Sequence, residues 1–257
     1  MHPSFFQKLG PINIEQITSV IECDLVNIEK DEVFIDFVSI DKIKEKSLSF
    51  LYDSENLNND FISSSGLICT KRKIQNLKLN HKCLIVKNVQ ETAAIISNIF
   101  YRDFNIDEIK KFPQPVLGND CEIGNNVIIE NGVTIGNNVK IEHGSTIKHN
   151  CIIGDGTYIG SNSSIQNSIL GENVYIGSNT SIGQRGFGFY LNKEKNIDIY
   201  HIGRVIIQSR VSIGSCCTID RGSFSDTLIG KNTYIDNLCH VAHNVEIGNN
   251  CAFAAMT

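Results

Sequence analysis

From Cys121 onward the chain counts in sixes, a period that neither an α-helix nor an alternating strand produces. An apolar residue, most often Ile, stands at 123, 129, 135, 141, 147, 153, 159 and 165, and again at 176, 182, 207, 213, 219, 229, 235, 241, 247 and 253. Two positions before it comes a small or β-branched residue, as at Val127, Ser145, Cys151, Thr157, Val205, Cys217 and Thr233, and Gly often follows it, as at Gly124, Gly154 and Gly214. Inward positions two apart on a short strand, with a glycine to turn the corner, describe one side of a triangular coil. Three sides close one turn, and turns stacked about 4.8 Å apart set each Ile on the one three repeats away. The repeat therefore predicts a solenoid.

Departures from six are equally informative. The spacing falls to five between Ile165 and Leu170 and between Ile202 and Ile207, and ten residues separate Ile219 from Ile229. Between Ile182 and Ile202, twenty residues replace six. This insertion, 184–201, opens on Gln184-Arg185-Gly186-Phe187-Gly188-Phe189-Tyr190 and then turns charged. A loop extruded from a rigid scaffold is a common carrier of function, and exposed aromatics gain little in water unless something meets them.

Residues 1–112 lack the six-residue count and read as a small α/β domain; residues 113–257 form the solenoid. A helical pattern covers 12–21 with Asn13 as its cap, strands are expected at 33–38, 48–52, 66–69 and 83–86, and an amphipathic helix at 91–101. The stretch 107–115, with two lysines and two prolines, reads as the linker between domains. A formal net charge of −5 argues against a nucleic-acid surface, which normally carries a basic stripe. Residues 1–10 hold no long apolar run, and no stretch approaches the roughly twenty apolar residues of a membrane span, so a cytoplasmic protein is expected. Five of the nine cysteines (121, 151, 217, 239 and 251) sit at the small inward position, and none forms a C-x-x-C pair. They are expected as reduced packing residues, with no metal site and no cofactor.

Hexapeptide repeats of this kind resemble the left-handed parallel β-helix of the hexapeptide acyltransferases. The resemblance narrows over 186–244, where the Gly-Phe-Gly loop is followed by Ile202-Gly203-Arg204-Val205, Thr218-Ile219-Asp220-Arg221-Gly222 and Ile235-Asp236-Asn237 leading to Ala242-His243-Asn244. With a small α/β domain in front, this order is similar to that of the UDP-3-O-acylglucosamine N-acyltransferase family of lipid A biosynthesis. The resemblance implies transfer of a 3-hydroxyacyl group from acyl carrier protein to the amine of UDP-3-O-(3-hydroxyacyl)glucosamine. It also implies a homotrimer, with the site in a cleft between protomers. That family continues beyond the position of Thr257 with further coils and C-terminal helices, so the chain is expected to lack them.

The hexad frame turns His143, His149, His240 and His243 away from the coil interior without choosing among them. The resemblance chooses His243, whose Ala-His-Asn setting matches the family's catalytic histidine. An amine attacking a thioester must shed a proton, and an imidazole with an ordinary pKa near 6.5 accepts it at physiological pH. Asp236 would orient that ring, or else cap its own turn. An oxyanion donor is expected without being placed. Phe50 matches the position that stacks on the uracil of the nucleotide sugar; it is followed by Tyr52 and Asp53-Ser54-Glu55-Asn56, where the family has a tyrosine. Phe187 and Gly188 fall in the loop expected to wall the acyl groove. Other readings are an O-acylating enzyme of the same pathway, which lacks the α/β domain, a zinc hydratase on the same scaffold recruiting His240 and His243, and a non-catalytic nucleotide-sugar-binding scaffold.

Overall fold

Two-residue strands such as Ile128–Ile129, Thr134–Ile135 and Lys140–Ile141 follow one another along the chain, and each pairs in parallel with a strand one coil later. Ile129 pairs with Ile147 and Ile135 with Ile153, which builds three parallel sheets of seven, seven and six strands. These features belong to a computed structural model that describes residues 5–52, 54, 65–75 and 80–257. The chain divides into two units: Phe5, Asp103–Phe187 and His201–Thr257 form the coil, while Phe6–Arg102 and Gly188–Tyr200 form a separate α/β body. The architecture is the parallel β-helix with a small α/β unit expected from the repeat.

Inside the coil the apolar column is buried. Ile135, Ile147, Ile159, Ile176, Ile213 and Ile229 are each at most 2% exposed, and each such side chain contributes about 1.5–3 kcal/mol by leaving water. Ile123, with no coil beneath it, remains 39% exposed. Cys151, Cys217 and Cys239 are buried in the small inward column, where burial pushes the Cys151 thiol up to about 12.

The corners differ from expectation in one respect. The residues in the left-handed region are mostly asparagines, as at Asn126, Asn138 and Asn162 (φ 59°, 55° and 57°), whereas the glycines after the inward Ile have no such φ, apart from Gly183 (φ 83°) after Ile182. Those glycines serve clearance instead: a Cβ on Gly154 would lie 2.5 Å from the Gly171 carbonyl carbon one coil above. Stacked backbones leave no room there, while Asn tolerates the left-handed turn.

Where the long insertion falls, Leu170 pairs directly with Ile207 and Ile182 with Ile219. Ile202 does not resume the inward count. Its N–H donates to Ser223 O at 2.7 Å and the side chain is half-buried, so the column restarts at Val205 and Ile207. Arg204 grips Asp226 with Nε and Nη2 at 3.2 and 2.7 Å, fastening the returning chain.

The second unit is a five-stranded sheet in the order Asp24–Val26, Lys82–Ile85, Gly66–Cys69, Ser47–Phe50 and Asp36–Phe37. The last four run parallel and the first antiparallel to its neighbour. The helix expected at 91–101 spans Val89–Phe100, capped by Asn88. Ile14–Thr18 is a single helical turn with Asn13 closing its capping box, the strand expected at 33–38 is broken into two, and the linker contains the helix Ile106–Ile109. The body of the insertion belongs to this unit. Phe189–Tyr190 and Ile197–Asp198 pair as a hairpin, and Asn98 Nδ2 donates to Asp198 O at 2.8 Å. Residues 1–4 and, apart from Ser54, the stretch 53–56 lie outside the described residues.

Candidate active site

The four outward histidines separate by what holds their ring nitrogens. His143 Nδ1 accepts the Asn125 N–H at 2.7 Å, which leaves Nε2 protonated and without a lone pair. His149 is enclosed on both sides, with Nδ1 3.3 Å from Glu130 Oε2 and Nε2 3.2 Å from Phe5 O. His240 lies with Nδ1 2.6 Å from Thr218 Oγ1 and Nε2 3.5 Å from the buried Asp220 carboxylate. All three serve the coil.

His243 sits at the corner after the strand His240–Val241, half-buried, and its Nδ1 lies 2.7 Å from Asn244 Oδ1. The orientation of that amide is fixed by groups with single roles. Asn244 Oδ1 accepts the Ser223 backbone N–H at 3.1 Å, which only donates, and Nδ2 donates to Ser225 O at 3.3 Å, which only accepts. The oxygen therefore faces His243, so Nδ1 carries the proton and Nε2 the lone pair. Asn244 reaches this position because its own backbone is left-handed, φ 65°, and its N–H donates to Thr227 Oγ1 at 2.9 Å.

Two residues of the insertion's neck complete the surroundings. His201 packs edge-on to His243 with ring centroids 5.0 Å apart and planes at 71°. Gly186 lies beneath both, and a Cβ there would approach His243 Cβ and Cδ2 to 2.8 Å and His201 Cε1 to 3.0 Å. Gly186→Ala is expected to displace the His243 ring while leaving the coil intact. Turnover should fall by about 10- to 100-fold with little change in melting temperature, and a fully active Ala variant would show that the ring needs no such clearance.

The other sequence candidates lie as follows. Asp236 is exposed and its Oδ1 accepts from Asn237 N and Nδ2 at 2.7 and 3.0 Å, the turn-capping arrangement, while Asn244 occupies the orienting position at His243. Phe187 is 85% exposed, and Gly188 O accepts the Ile199 N–H at 3.1 Å at the base of the hairpin. Phe50 ends a central parallel strand of the other unit, buried, with Tyr52 edge-on at 5.5 Å and Phe37 at 5.6 Å. His201 escaped the sequence reading because it lies outside the six-residue count, where no frame gives its direction. Among the described residues, no group of three or more His, Cys, Asp or Glu could hold a metal ion, and no helix is long and apolar enough to cross a membrane.

A three-sheet parallel coil built on a six-residue count defines the hexapeptide-repeat class. The family described as bacterial transferase hexapeptide (six repeats) matches residues 226–257, and that described as GMPPB C-terminal domain matches residues 111–187. A UDP-3-O-acylglucosamine N-acyltransferase of a Caulobacter sp. is 34% identical over 264 residues, spanning 99% of this chain and 76% of that protein. The chain belongs to the UDP-3-O-acylglucosamine N-acyltransferase family. The Caulobacter vibrioides protein of the same name is 44% identical over 99 residues, an alignment spanning 38% of this chain and 29% of that protein. Among solved structures, the UDP-N-acetylglucosamine acyltransferase from Campylobacter jejuni aligns with 22% identity and a TM-score of 0.37, over 55% of this chain and 48% of that one.

Proposed function

We propose that the chain catalyses, within a homotrimer, the transfer of a 3-hydroxyacyl group from an acyl carrier protein thioester to the amine of UDP-3-O-(3-hydroxyacyl)glucosamine, with His243 as the base. The observation that carries the base role is the pinned amide of Asn244, which leaves the His243 lone pair on Nε2. Family membership supports the acceptor. As the amine nitrogen bonds to the thioester carbon, its proton passes to Nε2. Collapse of the tetrahedral adduct then breaks the C–S bond, and the imidazolium returns the proton to the departing thiolate. An outward row of apolar side chains on one sheet, Ile152, Ile169, Ile206 and Leu228, supports the association of coils through that face. Phe50 and Tyr52, at the carboxyl end of a parallel strand, are the ring pair offered to the uracil.

Incubation with the UDP-sugar amine and 3-hydroxyacyl carrier protein is expected to yield the amide and free carrier thiol. Recovery of both reactants unchanged would defeat the proposal. The amide partner makes a further prediction. In Asn244→Asp, a carboxylate would stabilise the imidazolium, raise the proton affinity of His243 and move the acid limb of the pH–rate profile to higher pH. Asn244→Ala should instead lose about 10- to 100-fold in kcat with the limb unmoved. Identical profiles in all three proteins would dissociate Asn244 from the base.

A further inference from the structure

Gly186 and His201 stand where the chain leaves the coil and where it returns, and they are joined. The Gly186 N–H donates to His201 Nδ1 at 3.3 Å, while Arg221 Nε donates to the His201 carbonyl at 3.1 Å. A longer contact, 3.4 Å, separates Nδ1 from Arg221 O. The His201 side chain is fully buried and its Nε2 has no hydrogen-bond partner, so it lies beyond the reach of a substrate. Its half-buried neighbour is His243, against whose ring it packs. The charged and titrating groups acting on it are His243, Arg221 and Arg185; burial first, then those charges, push it down to about 4 and keep it neutral.

We infer that His201 is a positioning residue for the reaction proposed above: by accepting the Gly186 N–H it closes the neck of the insertion and braces the ring of His243. The inference rests on the assignment of His243 as base. Glutamine has an amide oxygen that takes over the acceptor role, whereas phenylalanine fills similar space and accepts nothing.

His201→Phe should therefore lower kcat by about 10- to 100-fold with KM little changed, and His201→Gln should recover most of that loss. The acid limb of the pH–rate profile should stay in place in His201→Gln, because the imidazole removed does not titrate in that range. In ¹⁵N spectra of the ring nitrogens, His243 should show a single Nδ1–H tautomer in the wild type and in His201→Gln, and a mixture in His201→Phe. Full activity in His201→Phe would overturn the inference. So would a Gln variant as slow as the Phe variant, or an acid limb that moves in His201→Gln, since either makes the imidazole itself the working group. Should His201→Phe not fold, the glutamine variant's turnover and acid limb decide alone. The spectra report the bracing whether or not His243 proves to be the base, so activity retained in His243→Ala would sink the base role without touching this result.

Discussion

Replacing His243 with alanine is expected to cut turnover by about 10²- to 10⁴-fold, the range supplied by a positioned general base. The side chain is half-buried at a coil corner and its loss opens no cavity in the Ile column, so the variant should fold. KM for the sugar nucleotide should change little, because the contribution belongs to the transition state. Single-turnover measurement with enzyme in excess over the sugar nucleotide and the proposed acylated carrier protein saturating reads the chemical step directly, and a variant within a few-fold of wild type would remove His243 from the mechanism. The three competing imidazoles give the control. His143 uses its Nδ1 lone pair on a backbone N–H, and His149 and His240 have both nitrogens engaged, so none of them offers a lone pair in place of the missing base.

The second large effect is on stability against acid. His201 in the folded chain is pushed down to about 4 from an ordinary 6.5. Between those two values the unfolded chain binds a proton that the folded chain refuses, so stability rises with pH across the window. The contribution is complete above about pH 6.5 and is lost as the pH falls through it toward 4, on the order of 3 kcal/mol in all. His201→Gln has nothing to protonate there. Its denaturation midpoints between pH 7 and pH 4 should fall less steeply than those of the wild type, and two parallel curves would show that His201 does not carry this proton linkage.

Much of the coil was legible because its periodicity reports burial directly: one apolar side chain in six, stacked on its equivalents, identifies the strands and their register before any contact is known. The corners were less so. Sequence spacing drew attention to the glycines after Ile, but which residue turns and which merely yields space depends on the distance between successive backbones. The partner of His243 shows the same limit. The hexad frame gives the direction of a side chain and not its reach around a corner, so it did not single out Asn244, and the deciding contacts from Ser223 and Ser225 come from an irregular corner with no count of its own. In the α/β unit, short strands and a one-turn helix carry too few periods to fix their bounds, whereas Val89–Phe100 has three turns and was found to within two residues.

The pairing of Leu170 with Ile207 is as regular as that of Ile129 with Ile147, although far more chain intervenes. A side branch that leaves and rejoins at one point adds no rung, and the register shift where it leaves is confined to Ile182–Gln184. Its length is therefore uncoupled from the rise of the coil, and doubling it costs only about 0.6 kcal/mol in closure entropy. Evolution can lengthen, shorten or exchange that branch, and with it whatever the branch meets, while the His243 corner and the column under it keep their places.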